Sequence, residues 1–121
     1  MKTNESEEMY LETILLLKSR KPEVHSVDIV EELDYAKSSV SFAVHQLEDR
    51  GYITIDQSGA IELTASGEAK AQDVYERHRI LTELLMRIGA DRALAEENAC
   101  RIEHVISGEL FAVMKKYMEK N

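Results

Sequence analysis

Two short runs of β-branched and aromatic residues, set in a chain with otherwise helical patterning, constrain the fold most strongly. YITI (Tyr52–Ile55) and AIEL (Ala60–Leu63) flank DQSG, a sequence typical of a tight turn. This arrangement predicts one two-stranded hairpin. The 121 residues contain one proline and five glycines, so few helix breakers interrupt the remainder of the chain. The predicted fold class is therefore mainly α with a small β-hairpin.

Six segments around the hairpin have the apolar spacing of amphipathic helices. Ser6, Ser26 and Thr64 stand where N-caps are expected, and Gly51 and Gly89 stand where helices should end. The predicted helices are Ser6–Arg20, Ser26–Leu33, Ser38–Gly51, Ala65 to about Ile88, about Asp91 to Ser107, and a last helix that follows Gly108 and ends near Met118.

The order helix, short helix, tight turn, helix and hairpin is that of a winged helix-turn-helix, in which the hairpin forms the wing. An inward stripe of Val40, Val44 and Leu47 leaves mostly small polar side chains on the outer face of the third helix. Such side chains can hydrogen-bond to base edges or phosphates, and an aromatic can contact a thymine methyl. The alternative is that this face contacts another protein. The predicted DNA-binding residues are Ser26, Lys37, Ser38, Ser39, Ser41, Phe42, Gln46 and Arg50.

The acidic charge of the chain argues against nonspecific nucleic-acid binding. The formal net charge is −8, and between Lys18 and Thr64 five Lys or Arg residues accompany nine Asp or Glu residues, a net of −4. Because phosphate neutralisation supplies most nonspecific affinity, tight DNA binding by one such unit is not expected. Dimerisation, which doubles the contacts, and a bound cation would each offset this charge.

The compartment is predicted from absent signals. No apolar run approaches the roughly 18 residues that a membrane span needs, and nothing resembles a signal peptide. Cys100 is the one cysteine, so no disulfide can form within the chain. We expect a cytoplasmic protein that does not associate with membranes.

The stretch ACRIEHV (residues 99–105) carries a possible metal site. Its soft and polar members Cys100, Glu103 and His104 stand at i, i+3 and i+4, which on a helix places them on one face. Thiolate, carboxylate and imidazole are all ligands of transition metals. The alternative is a buried cysteine beside two surface residues, and the spacing does not decide between them.

Three residues elsewhere add possible ligands. Met9 and Glu12 stand at i and i+3 on the first helix, so a thioether and a carboxylate share one face. His78 lies in the middle of the long helix within VYERHRIL. Taken singly, Met9 is more typical of a core residue and His78 of a surface or hydrogen-bonded core histidine.

Five motifs together resemble the diphtheria toxin repressor family of metal-dependent bacterial and archaeal transcriptional regulators, which includes iron- and manganese-dependent repressors. They span nearly the whole chain in the family's order: EMYLETI, LEDRGYI, LTASGEAKA, VYERHRIL and ENACRIEHVIS. The resemblance implies a winged helix-turn-helix over residues 1–64 and a helical dimerisation and metal-binding region over residues 65–121. It also implies that the SH3-like third domain of longer members is absent.

The resemblance also implies a set of metal ligands. Met9, Cys100, Glu103 and His104 match the ligands of the iron-responsive branch. Glu12 matches a carboxylate of the manganese branch, which can bridge two ions there. His78 matches a ligand position used in both branches. The implied ligands are Met9, Glu12, His78, Cys100, Glu103 and His104.

Two departures from the family pattern bear on a second ion. Thr82 stands four residues after His78, where the family often has a carboxylate, and Glu96 stands where the iron branch has a second histidine. A second ion would therefore use Glu12 and His78, with Glu83 or Glu96 as weaker ligands.

Donor chemistry indicates which metal binds. Thiolate and thioether are soft donors that disfavour Mn(II) relative to Fe(II), Co(II), Ni(II) or Zn(II), so Fe(II) is the favoured physiological ion. The predicted function is a repressor that binds operator DNA as a homodimer when loaded with a divalent transition metal, Fe(II) or Mn(II), and that controls metal-homeostasis genes. An alternative is a winged-helix regulator that responds to another ligand or to oxidation at Cys100. A metalloenzyme is a third reading, but no substrate-pocket signature supports it.

The last helices also carry the surface expected for a dimer. An apolar stripe recurs at helical spacing along both of them. Packing within one chain competes with dimerisation for this stripe, and both uses are expected to share it. Its members are Ala95, Ala99, Ile102, Ile106, Leu110, Val113 and Met114.

Overall fold

The computed structural model describes residues 3–120, with side chains from Ser6 onward, and these residues form six helices and one hairpin. The mainly α fold with a small hairpin is confirmed. The chain forms two compact units, the first ending at Gln72 and the second beginning at Asp73. The elements are α1 (Thr3–Arg20), α2 (Ser26–Leu33), α3 (Lys37–Asp49), β1 (Ile53–Ile55), β2 (Ile61–Leu63), α4 (Ala65–Arg87), α5 (Arg92–Ile102) and α6 (Gly108–Lys120).

The first unit is a winged helix-turn-helix packed around one apolar core. β1 and β2 pair antiparallel with Ile53 opposite Leu63, and Val24 adds a bridge to Ile61 on the other side of β2. The predicted inward stripe of α3 is confirmed, since its three valine and leucine side chains are buried. Burying these apolar side chains of α1, α2, α3 and the hairpin removes them from water, which holds the unit together. The core comprises Tyr10, Leu11, Ile14, Leu17, Val24, Ile29, Val40, Val44, Leu47, Ile53, Ile61 and Ala71.

Two predicted N-caps are wrong. α1 already includes Thr3, so Ser6 lies inside the helix. His25, not Ser26, is the N-cap of α2, and its backbone N–H donates to the Asp28 carboxylate at 2.8 Å. Asp28 is the third residue of α2, and a carboxylate at this position can accept a hydrogen bond from the backbone N–H of the N-cap residue. The prediction considered only serine and threonine as caps and therefore missed His25.

Tight turns set the hairpin against the start of α4. The Asp56 carboxylate accepts hydrogen bonds from the backbone N–H groups of Ser58 and Ala60, each at 2.9 Å, which closes the turn. Thr64 caps α4 as predicted, because its Oγ1 accepts from the Gly67 N–H at 3.2 Å. A Cβ on Gly67 would lie 1.9 Å from the Tyr52 carbonyl oxygen, so only glycine permits this approach.

The second unit packs α6 against α4 around a small core of Ile80, Phe111 and Met118. The predicted helix from Asp91 to Ser107 is wrong at its end: α5 stops at Ile102, and the chain turns before α6 begins. No apolar or capping signal marks this stop, and the turn residues themselves have no strong helix-breaking tendency. The turn matters because it contains two of the proposed metal ligands.

None of the helices in the described part of the chain is long and apolar enough to span a bilayer.

Replacing Asp28 with Asn should lower the free energy of unfolding at pH 7 by about 1 kcal/mol, the usual contribution of a capping interaction. Hydrogen bonds from Lys21 and from the His25 N–H hold the pKa of the Asp28 carboxyl below its ordinary value. A depressed folded-state pKa stabilises the protein above the unfolded-state value of about 3.9, and this contribution is lost as pH falls through the folded-state value.

Urea titrations of wild type and Asp28→Asn at pH 7 and pH 3 measure this effect. The difference in unfolding free energy should shrink at pH 3, and a difference that stays constant would contradict the assignment. Asp49→Asn, at an exposed position of α3, is the matched control and should change neither value.

Candidate metal centre and DNA-binding surface

The Glu103 carboxylate is the most unusual group of the second unit, because this acidic side chain is fully buried with 0% exposure. Its Oε1 lies 2.9 Å from Nδ1 of His78 on α4. Its Oε2 is buried and has no hydrogen-bond partner among the residues that the structure describes. A buried carboxylate oxygen without a partner costs free energy, so this arrangement has the character of an incomplete site.

His104 lies beside this carboxylate. Both residues follow α5 in the turn, and their possible ligand atoms lie within 4.8 Å of each other. The Glu103 N–H still donates to the Ala99 carbonyl at 2.9 Å, so the backbone is helical to this point. The structure therefore brings Glu103, His104 and His78 together within one unit.

The alternative of a buried cysteine beside two surface residues is wrong. Cys100 is exposed, whereas Glu103 is buried and His104 is partly buried. Cys100 lies in α5 and Glu103 is its C-cap, so these two residues lie on one helical face as predicted. His104 lies beyond the end of the helix.

The other two proposed ligands lie on one face of α1 in the first unit. Met9 is partly buried, and its sulfur accepts a hydrogen bond from the Tyr35 hydroxyl at 3.5 Å. Glu12 has only 9% exposure. Their i and i+3 spacing on an observed helix places the thioether and carboxylate one turn apart, as predicted.

The residues considered for a second ion differ in their environment. Thr82 is buried and donates its hydroxyl to the His78 carbonyl at 2.7 Å, so it supports the helix. Glu83 is exposed, and Glu96 is exposed and pairs with Arg92 at 3.4 Å. The participation of these residues in a second site stays a prediction.

The side chains predicted to contact DNA form an exposed face on α3. Phe42 is 67% exposed, which is unusual for an aromatic side chain and suits contact with a partner. Ser26 is partly buried at the start of α2. The exposed members are Lys37, Ser38, Ser39, Ser41, Phe42, Gln46 and Arg50.

Most basic side chains of the first unit are paired with carboxylates of the same unit. Lys18 contacts Glu62 at 2.6 Å, and Arg20 contacts Glu32 at 3.2 Å; Lys21 pairs with Asp28. The salt bridges that the described residues form leave one basic side chain of the predicted DNA-binding surface without a carboxylate. That side chain is Lys37, at the first position of α3.

Arg50 is held by a network that the sequence did not reveal. Glu7 on α1 has 5% exposure, and its carboxylate contacts the Arg50 guanidinium at 2.6 Å and the Lys70 ammonium at 3.4 Å. Lys70 also lies 4.9 Å from the centre of the Tyr52 ring. The guanidinium remains half exposed, so it can still reach a phosphate. The contacts join residues far apart in sequence, and no local spacing signals them.

Two family models match the chain. One, described as the iron dependent repressor N-terminal DNA binding domain, matches residues 2–61. The other, the iron dependent repressor metal binding and dimerisation domain, matches residues 64–121. The chain belongs to the iron dependent repressor family. Its members are transcriptional regulators rather than enzymes, which confirms the predicted class.

Relatives agree with this assignment. The chain is 31% identical to the HTH-type transcriptional regulator MntR of Lysinibacillus sphaericus over 119 residues, covering 96% of this chain and 86% of that one. It is 35% identical to the diphtheria toxin repressor of Corynebacterium efficiens over 104 residues, covering 85% of this chain and 45% of the repressor. The chain thus spans about half the length of the diphtheria toxin repressors it matches.

Solved structures share the fold. A manganese-dependent transcriptional repressor in complex with manganese superimposes with a TM-score of 0.84 at 25% identity, covering 93% of this chain and 52% of that one. The manganese regulator SloR superimposes with a TM-score of 0.83 at 24% identity, covering 100% of this chain and 56% of that one. The winged helix-turn-helix is thereby confirmed. The predicted domain boundary at residues 64 and 65 stays a prediction.

Glu103→Gln should remove the stabilisation that a divalent metal gives while leaving the metal-free protein as stable as wild type or more so. Glutamine can still accept a hydrogen bond from His78, but it no longer carries a buried charge with one oxygen lacking a partner. A ligand present at a concentration of about a hundred times its Kd stabilises a protein by about 2.7 kcal/mol. Co(II) should stabilise the wild type by this amount and should not stabilise Glu103→Gln.

Thermal unfolding in chelator and in excess Co(II) measures both effects. Glu97→Gln, at an exposed position of α5, is the control and should behave as wild type. A Glu103→Gln variant that loses stability in chelator and keeps the metal-dependent increase would assign Glu103 a purely structural role.

Proposed function

We propose that this chain is a repressor that binds operator DNA as a homodimer when it is loaded with a divalent transition metal, and that it controls metal-homeostasis genes. The observation that carries the proposal is the buried Glu103 carboxylate, bound to His78 through one oxygen and lacking a described partner for the other. It lies in the part of the chain that matches the metal binding and dimerisation domain of the family.

The proposed ligands comprise two imidazoles, two carboxylates, a thiolate and a thioether. When bound, the cation supplies positive charge to these ligands and a common attachment for them, which favours one arrangement of the two α3 helices of a dimer. The proposed ligands are Met9, Glu12, His78, Cys100, Glu103 and His104.

The donor set supports Fe(II) over Mn(II) as the physiological ion. Met9 and Cys100 offer soft sulfur donors, whereas Mn(II) prefers oxygen donors. Co(II), Ni(II) and Zn(II) also suit the mixture of sulfur, nitrogen and oxygen. Because Cys100 must bind as a thiolate, metal affinity should fall as pH drops.

The exposed face of α3 is the proposed reader of the operator. Serine and glutamine side chains hydrogen-bond bases or phosphates, Phe42 packs against thymine methyl groups, and Lys37 contacts a phosphate. Two copies of α3 about 34 Å apart would occupy successive major-groove half-sites. Doubling the contacts in this way offsets the acidic charge of a single unit.

Exposed apolar side chains of the second unit support a homodimer. The predicted stripe is divided: Ala95 and Ala99 are buried, whereas Leu110 and Val113 are 48% and 63% exposed. Tyr117, one turn further along α6, is 55% exposed. Side chains of this kind at one helix face are typical of a surface that a second copy covers.

Operator binding should require a bound metal ion. Binding of the chain to a genomic DNA fragment library is measured anaerobically with Fe(II), Mn(II), Zn(II) or chelator in parallel. Specific fragments should be recovered with metal and lost with chelator. Equal recovery of the same fragments in chelator would favour the alternative of a regulator that senses another ligand or oxidation at Cys100.

Lys37→Ala should weaken binding to a recovered fragment and reduce the slope of log affinity against log salt by about one phosphate contact per subunit. Lys116→Ala removes the same charge from an exposed position of α6 and is the control. An unchanged salt slope for Lys37→Ala would exclude Lys37 as a phosphate contact.

Replacing the soft donors with carboxylates should shift metal preference toward Mn(II). The double variant Met9→Asp with Cys100→Glu removes both sulfur donors, so its affinity ratio for Mn(II) over Fe(II) should rise by about tenfold or more. Anaerobic competition titrations measure this ratio. An unchanged ratio would show that the sulfur atoms do not bind the metal, whatever the DNA-binding result.

A further inference from the structure

Arg77 on α4 makes three contacts with described residues of the second unit, and two of them join it to residues distant in sequence. Its Nη1 donates to the backbone carbonyl of Glu103 at 3.3 Å, and its Nη2 contacts the Asp73 carboxylate at 3.3 Å. Its guanidinium carbon lies 5.8 Å from the centre of the Phe111 ring on α6. The side chain is 19% exposed, so this guanidinium is largely enclosed by the unit.

The contact with Glu103 falls where the helix no longer holds the backbone. Glu103 is the C-cap of α5, and its carbonyl belongs to the last group of helix carbonyls that have no partner within a helix. Arg77 supplies a hydrogen bond to that carbonyl from a different helix. It therefore holds the turn that presents Glu103 and His104.

Adjacent residues of α4 hold the same glutamate at two points. His78 contacts the Glu103 carboxylate, and Arg77 contacts the Glu103 backbone. Two attachments from one rigid helix fix both the position and the direction of the carboxylate, which one attachment would leave free to rotate. Partners of this kind orient metal ligands in proteins and are worth about tenfold to a hundredfold in affinity.

The charge of Arg77 does not favour metal binding, because a positive group near a cation site opposes the binding of a cation. Its value must then be geometric. The planar guanidinium can bond to the Glu103 carbonyl and to Asp73 at once through separate nitrogens, whereas the single ammonium of lysine has no such fork. Asp73, on the same helix as Arg77, holds the guanidinium in position for the carbonyl.

We propose that Arg77 is a positioning residue for the metal site: it fixes the turn after α5 so that Glu103 and His104 are presented to the ion. This inference rests on the proposed metal-binding function, because the ion whose ligands Arg77 positions is part of that proposal. It assigns to Arg77 a role through the backbone of Glu103 and no direct contact with the metal.

Arg77→Lys keeps the charge and removes the fork, so it separates geometry from electrostatics. Co(II) affinity, measured by anaerobic titration of the full chain, should fall by about tenfold or more. The ligand-field absorption of the bound Co(II) should also shift, which a loss of stability alone would not cause. Arg101→Lys makes the same substitution at an exposed position of α5 and should leave affinity and spectrum unchanged.

The outcomes separate this proposal from the proposed function. If Glu103→Gln binds Co(II) as wild type does, the metal site itself is wrongly assigned. If Glu103→Gln loses binding while Arg77→Lys keeps wild-type affinity and spectrum, the metal site stands and the role of Arg77 is overturned.

A second variant covers the case in which Arg77→Lys does not fold. Asp73→Asn leaves Arg77 in place and removes one of its anchors, so Co(II) affinity should fall severalfold with thermal stability in chelator near that of wild type. Wild-type Co(II) affinity in a folded Asp73→Asn variant would then overturn the proposal.

Discussion

The burial of the Glu103 carboxylate is the constraint around which the second unit is arranged. A fully buried acidic group needs hydrogen-bond partners or a counter-ion. Within the described part of the chain, His78 contacts one of the two Glu103 oxygens and the other has no hydrogen-bond partner. α4 supplies that imidazole and, through Arg77, a second attachment to the backbone of the same residue. The unit thus holds a charged group at a fixed place and leaves part of its bonding capacity open. A carboxylate held in place with a free oxygen suits a metal-binding domain, and residues 64–121 match the metal binding and dimerisation domain of the family.

In the first unit, ion pairs determine which charged side chains remain available to DNA. The acidic composition opposes DNA binding, but the structure distributes the charges unevenly. Several lysines and arginines form ion pairs within the unit, as Lys18 does with Glu62, and they neutralise carboxylates that would otherwise repel phosphates. α3 presents serines, a glutamine, Phe42 and Lys37 on its outer face. Glu7, which is nearly buried, holds Arg50 at the end of α3 and connects α1 with that helix.

Local patterns predicted the elements and most of their ends to within one or two residues. The hairpin, the three helices before it and the long helix after it follow from apolar spacing, turn sequences and caps such as Thr64. The end of α5 did not follow, because no proline or glycine stands near Ile102 and the stretch to Ser107 keeps helical spacing. Spacing and resemblance predicted Glu103 and His104 as metal ligands, which stays a prediction. Their environment was not predicted, since the burial of Glu103 depends on α4, whose contacting residues lie 25 positions away.

The sequence by itself determined the fold class, the family and the donor types of the proposed metal site. These follow from local periodicity, from motif order and from the chemistry of sulfur, imidazole and carboxylate groups, none of which needs coordinates. Only the tertiary structure decided that Cys100 is exposed and Glu103 is buried, and that Arg77 contacts Glu103 and Glu7 contacts Arg50. Burial and long-range pairing depend on which helices pack together, and residues distant in sequence carry no local signal of their contact.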